Sequence, residues 1–227
     1  MQTPDVLASV EFYESLGFRQ CVVGETWSHP YAVLSDGRLF LGLHDYAFDS
    51  PALTFVRPEL SAHLAELERR GLRFQFRKTG EEVFNEAGFL DPDGHMIALL
   101  EARTFSPAGF PDRDFSALGR FGEYSLPVRD LDVALDFWRK LEGVPLARDS
   151  EPRPRASVNI GGARLGLHQK PDFRQLSLTF LADDMAARIE YLREKGYELT
   201  AATLRSPEGL TILLRESKSK GGVPETD

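Results

Sequence analysis

Cysteine is almost absent from this chain: Cys21 is the single one. That excludes an internal disulfide and a Cys-rich metal centre, and the apolar run around Cys21 reads as the setting of a buried, inert thiol, in keeping with a reducing cytoplasm. Basic residues are in deficit as well, with 27 Lys and Arg against 35 Asp and Glu and a formal net charge of -8. Phosphate backbones and anionic membranes need clustered cations, so neither is an expected partner. No apolar run approaches the roughly 18 residues of a membrane span, and the opening residues lack the basic-then-apolar pattern of an export signal, so a cytoplasmic protein is expected. Also missing are a Gly-rich phosphate loop, a Ser/His/Asp nucleophile signature and a Cys/His pair. No catalytic residue is assigned.

What is present is an ordinary globular composition, 42% hydrophobic and 27% charged over 227 residues, enough for two domains of about 100 residues, each burying its own core. Four landmarks then occur twice in the same order. "SVEFYESLGF" (Ser9 to Phe18) matches "ALDFWRKLEGV" (Ala134 to Val144), "LGLH" ends at His44 and again at His168, "LERRG" at Gly71 matches "LREKG" at Gly196, and "DPDG" at Gly94 matches "SPEG" at Gly209. The offsets are 124 (44 to 168), 125 (71 to 196) and 115 (94 to 209). The second copy has therefore lost about ten residues where the first carries "KTGEEVFNEAGF".

Each copy reads as two smaller units of strand, helix and further strands. In the first, Asp5 caps a helix through Ser15 with Val6, Val10 and Tyr13 on one face, and Gly17 stops it. Strands "FRQCVVGE", "YAVLSDG" and "RLFLGLH" follow, then "ALTFV", a helix from Pro58 to Arg70 with Leu60, Leu64 and Leu67 as its buried stripe, and strands "LRFQFRK", "VFNEAGFL" and "HMIALLE". In the second, Asp130 caps a helix carrying Leu131, Leu135, Trp138 and Leu141, and a partner helix runs from Asp184 to Lys195. The expected division is a domain over 1–102 with its first strand truncated, a Pro/Gly-punctuated linker over 103–120, a domain over 121–216, and a polar tail over 217–227.

Paired helix-and-strand units, the phrase "FYESLGF" and the phrase "DPDGHMIALLE" resemble the vicinal-oxygen-chelate superfamily, which includes glyoxalase I, extradiol dioxygenases, fosfomycin-resistance enzymes and bleomycin-resistance proteins. The resemblance implies an α+β fold of tandem glyoxalase-like domains, each built from two βαβββ units curling into a cleft. It also implies where metal ligands would stand, on the first and last strand of each unit. In the first copy the opening position falls before Met1 and the others at about Gly42, Ala52 and Ala98; in the second they fall at Glu123, about Gly166, Ser177 and Leu213. Only Glu123 offers a donor, and catalytic divalent sites take about three protein ligands. Neither metal nor cofactor is therefore expected.

Alternation along strands carries the inward set further. Phe40, His44 and Met96 face a mostly apolar first cleft; Glu123, Arg164, His168, Thr211 and Arg215, with Ser125, Ser177 and Thr179, face a polar second one. Those eight named first are the candidate ligand-binding residues, the second cleft being the expected binder of a polar or anionic molecule through Arg164 and Arg215. His44 and His168 read as rim residues capping carbonyls, or as ligands or acid/base groups. Glu123 with His168 reads as an Arg-paired carboxylate, or as an acid/base pair or displaced metal site. His95 reads as structural and His29 as a loop residue, while Trp27, Tyr31, Phe40, Phe84 and Phe89 suit either the core or a planar ligand.

Three functions remain open: a metal-free small-molecule binder resembling bleomycin-resistance proteins, with a homodimer admitted; a glyoxalase- or dioxygenase-type enzyme with a displaced site; and an interaction module recruiting a second chain through the sheet edge left by the short first strand.

Overall fold

The computed structural model describes residues 1–23, 27–101 and 116–217. Most of the expected linker and the tail from 218 onward thus lie outside the described residues. The fold is α+β, as expected, with strands dominating.

In the first half, Asp5 accepts a hydrogen bond from the Ala8 amide at 3.0 Å and starts helix α1 (Val6–Ser15). Gly17, at φ 96°, takes the left-handed turn that ends it. Strands β1 (Arg19–Gln20), β2 (Tyr31–Ser35) and β3 (Phe40–His44) form a three-stranded antiparallel sheet. Then β4 (Ala52–Arg57), α2 (Leu60–Arg69), β5 (Phe76–Lys78), β6 (Glu86–Leu90) and β7 (Met96–Glu101) give a separate four-stranded sheet in the order β4-β7-β6-β5. The leucine stripe of α2 is fully buried, as its spacing predicts.

The second half is continuous where the first is split. It comprises β8 (Arg120–Val128), α3 (Leu131–Lys140), β9 (Val144–Asp149), β10 (Arg155–Ile160), β11 (Ala163–Gln169), β12 (Ser177–Ala182), α4 (Met185–Glu194), β13 (Leu199–Thr200), β14 (Thr203–Arg205) and β15 (Thr211–Glu216). They form one eight-stranded sheet, β13-β14-β15-β12-β8-β11-β10-β9. At its centre β8 runs antiparallel to β12 and parallel to β11. The missing ten residues show as the short β13–β14 hairpin, against β5 and β6 in the first half.

The two halves do not keep separate cores. One buried apolar cluster extends from Val10 to Leu214. Phe18 and Phe180 meet edge to face at 6.4 Å, and the Tyr13 hydroxyl donates to Glu208 at 3.1 Å. Trp138, in the last turn of α3, is the largest fully buried side chain among the described residues. Cys21 is buried too, and burial pushes its thiol up to about 11, so it stays protonated. None of the described helices is long and apolar enough to cross a membrane.

Candidate functional site

Six of the eight candidate residues fall into two groups, one in each half. Phe40, His44 and Met96 line a cavity of about 1260 Å³ in the first half. Its walls are the β3 and β4 strands, Met96, Ala98 and Leu100 of β7, the β5 residues Phe76 to Lys78, and an aromatic group around Trp27. In that group His44 is the hub: Trp27 lies edge-on to it at 4.7 Å, and Tyr31 stacks on it at 6.0 Å. His29 Nε2 lies 3.1 Å from His44 Nδ1, and its own ring stacks on Tyr46 at 5.1 Å. His29 precedes the strand, and the β2–β3 pairing sets Tyr31 opposite His44. His29 is thus more than the loop residue expected from sequence. Of the five aromatics considered for stacking, Phe89 belongs to the core, while Phe84 joins the Trp27 group at 5.6 Å.

Burial, the nearby N-terminal amino group and His29 together push the His44 imidazole down to about 4. His44 is therefore neutral at physiological pH and presents a hydrogen-bonding nitrogen rather than a charge. The linkage sign follows. An unfolded histidine, near 6.5, takes its proton first as pH falls, so the stability contributed by neutral His44 is complete above about 6.5 and lost on the way down to about 4. We expect urea unfolding free energy to drop by roughly 2 kcal/mol more in the native chain than in His44→Gln between pH 7 and pH 4.5. Equal slopes for the two proteins would contradict the neutral assignment.

The second cluster centres on Glu123, which is 7% exposed. His168 Nε2 lies 2.9 Å from Glu123 Oε1, to which the Ser125 hydroxyl also donates at 3.2 Å. Arg155 donates to Oε2 at 3.3 Å, and Arg164 stands 3.9 Å from the same oxygen. Both guanidinium groups reach Ser157 at 3.3 Å, and Ser125 bonds Thr179 at 2.7 Å. Burial pushes the Glu123 carboxyl up, but the His168 hydrogen bond and the charges of Arg155 and Arg164 outweigh it and hold it below the usual carboxylate range. Glu123 thus has both the arginine partners of the one reading and the His168 partner of the other. Thr211 is buried on β15 opposite Ser177, and Arg215 is exposed near that strand's end, outside the network.

Arg155 and Ser157 escaped the sequence reading. The signal was the antiparallel pairing of β10 with β11, which sets Arg155 across from His168 and Ser157 across from Gly166. The second cleft is also filled rather than open. A Cβ on Gly166 would lie 2.2 Å from Glu123 Oε1 and 2.7 Å from His168 Nε2, so the carboxylate occupies the space above that glycine. Gly166→Ala should separate Glu123 from His168 and cost about 2 kcal/mol in chemical denaturation. A change below about 0.5 kcal/mol would mean the cluster relaxes freely. The cavity of about 1260 Å³ lies against the first-half strands and also reaches Tyr124, Leu176, Leu178 and Leu210 of the second half.

No family profile matches the chain, and no curated protein matches it. Solved structures do. A catechol 2,3-dioxygenase superposes at TM-score 0.59 with 16% identity, covering 95% of this chain and 85% of its own. BphC, a halotolerant catechol dioxygenase, gives 0.60 and 17%, covering 95% and 84%. The Mn(II)-bound glyoxalase from Novosphingobium aromaticivorans gives 0.61 and 16%, covering 95% and 83%. The chain has the vicinal-oxygen-chelate fold, as its "FYESLGF" and "DPDGH" phrases imply.

The residues present do not fit a divalent metal such as the Mn(II) bound by that glyoxalase. Glu123 and His168 are two donors, one carboxylate oxygen is engaged by Arg155, and a second guanidinium stands beside it. Two adjacent cations disfavour a third. Among the described residues no group of three or more His, Cys, Asp or Glu side chains converges on one point.

Proposed function

We propose that this chain, acting through two domains over 1–102 and 121–216, binds a flat, mainly apolar small molecule in the first-half cavity, and that the second half serves as a polar, salt-bridged support. The observation that carries this reading is the cavity itself, about 1260 Å³, with a neutral imidazole at its aromatic end. Pockets of this kind bind by apolar contact and use a few polar groups for orientation. His44 Nε2, lying over Gly42, is that group here, since a Cβ on Gly42 would meet it at 3.1 Å.

Fluorescence tests it directly. The chain has two tryptophans, and Trp138 is fully buried away from the cavity, so quenching by an added aromatic reports Trp27. Titration with a panel from phenol to naphthol and flat heterocycles should give saturable quenching that Trp27→Phe abolishes. At 100 times its dissociation constant a true ligand adds about 2.7 kcal/mol of stability, visible as a thermal shift. A panel that neither quenches nor shifts would remove the support for this reading.

A second reading, a metal-dependent lyase, isomerase or dioxygenase with a displaced site, is favoured by the likeness to catechol dioxygenases and a Mn(II)-bound glyoxalase and by the 2.9 Å Glu123–His168 contact. Elemental analysis of protein purified without chelators separates the two. Stoichiometric Mn, Fe, Ni or Zn lost in Glu123→Gln would favour the enzyme.

A further inference from the structure

The formal charge of -8 is carried by one half of the sequence. Residues 1–101 hold 8 Lys and Arg against 16 Asp and Glu, while residues 116–217 hold 15 of each kind. The imbalance bears directly on the aromatic end of the cavity. Between residues 20 and 56 the sole Lys or Arg is Arg38, which lies in the turn joining β2 to β3, at the end of that hairpin remote from His44. Asp45 and Asp49 follow His44 in the loop after β3. Both are exposed, Asp49 lines the cavity, and neither has a counter-ion among the described residues.

The β5 wall of the cavity differs. Arg77 pairs with Glu68 at 3.0 Å, and Lys78 stands across from Glu86 in the β5–β6 register, so cations and carboxylates there are matched. The uncompensated negative charge therefore belongs to the loop that carries Asp45 and Asp49, and it raises the local concentration of cations at the aromatic end.

The rings at that end suit a positive charge as well, because an aromatic face is electron-rich and attracts a cation lying over it. Tyr46 stacks one face on His29 at 5.1 Å and is otherwise exposed, and Phe48 meets His44 edge to face at 5.9 Å. Trp27, His29, His44, Tyr46 and Phe48 all line the cavity together with Asp49. Neutral His44 puts no opposing charge among them.

We propose that the ligand of this cavity is a flat heteroaromatic cation, a fused ring system with a quaternised or protonated nitrogen held against Tyr46 and Asp49, an assignment that rests on the cavity being the small-molecule site. An aromatic anion of the same shape would meet the uncompensated carboxylates instead. A neutral one would gain from the apolar walls alone.

Probes of one shape and three charges test this: N-methylquinolinium, 4-methylquinoline kept neutral at mildly alkaline pH, and quinoline-4-carboxylate, each titrated calorimetrically into the full chain at low salt. The dissociation constant of N-methylquinolinium should lie at least about tenfold below that of 4-methylquinoline, from a ring contact and an ion pair together, with quinoline-4-carboxylate the weakest. Asp49→Asn and Tyr46→Leu, both at exposed loop positions, should each cut the cation's advantage by about threefold. The proposal is overturned if the wild-type advantage is below about threefold, or if neither variant narrows it. Either result leaves the small-molecule reading standing, since 4-methylquinoline still binds. Absence of saturable heat from all three probes removes that reading, and the cation assignment falls with it.

Discussion

Glu123→Ala is expected to destabilise the folded chain by about 3–5 kcal/mol, read as the loss in urea unfolding free energy at neutral pH. The cost is not the value of the ion pair. It arises because Arg155, packed in the same cluster, is left with only the more exposed Asp149 at 3.8 Å as counter-ion, and because His168 and Ser125 lose an acceptor. Arg164, with a half-exposed side chain, is screened by water and adds little. Glu123→Gln keeps an acceptor and the side-chain volume, and should lose about half as much. Combining Glu123→Leu with Arg155→Met removes both charges together and should recover most of the loss, as buried pairs replaced by apolar residues do. A loss below about 1 kcal/mol for Glu123→Ala would mean the cluster is hydrated and contributes little.

The depressed carboxyl sets the matching acid limb. Glu123 folded titrates below its unfolded counterpart, so its contribution is whole above the ordinary carboxylate range and disappears as pH falls through the folded value. His44 acts earlier, between about 6.5 and 4. In the native chain two losses therefore follow each other on acidification, one from each half.

Helix ends and strand identities were legible because they are local. Asp5 and Asp130 are capping residues at matching places, and the leucines of α2 sit at helical spacing, so the residues alone locate those elements. Strands β1 and β5 are shorter than their apolar runs suggested, since pairing extends only where a partner strand exists. The polar cluster was half legible: the family resemblance implies Glu123 and the place of Gly166, and alternation about Gly166 adds Arg164 and His168, but Arg155 enters through cross-strand register, which a single strand does not encode. His29 reaches His44 through a loop closure with no periodic signal at all. The void was partly legible, since Phe40, His44 and Met96, assigned to an apolar first cleft, do line it. Alternation assigns faces on the assumption of an intact sheet, and the break between β3 and β4 lets both faces line one cavity.

Closing that cavity should abolish binding while leaving the fold intact. Ala98 lies at the middle of β7, hydrogen-bonded between β4 and β6 opposite Thr54 and Gly88, and its methyl group faces the void. Ala98→Phe places a ring there beside Phe76, which already covers Gly88 so closely that a Cβ on that glycine would meet it at 2.2 Å. A ring entering open space displaces no packed neighbour, so stability should change by less than about 1 kcal/mol. An aromatic ligand loses its volume and its apolar wall, and its dissociation constant should rise at least about 100-fold, equivalent to about 2.7 kcal/mol. Quenching of Trp27 measures this without adding a tryptophan. Glu123→Gln supplies the contrast: it should cost stability and leave the dissociation constant within about twofold, because the second-half cluster does not line the cavity. The reverse pattern, with Ala98→Phe binding normally and Glu123→Gln losing affinity, would move the ligand to the salt-bridged cleft and overturn the assignment made from volume.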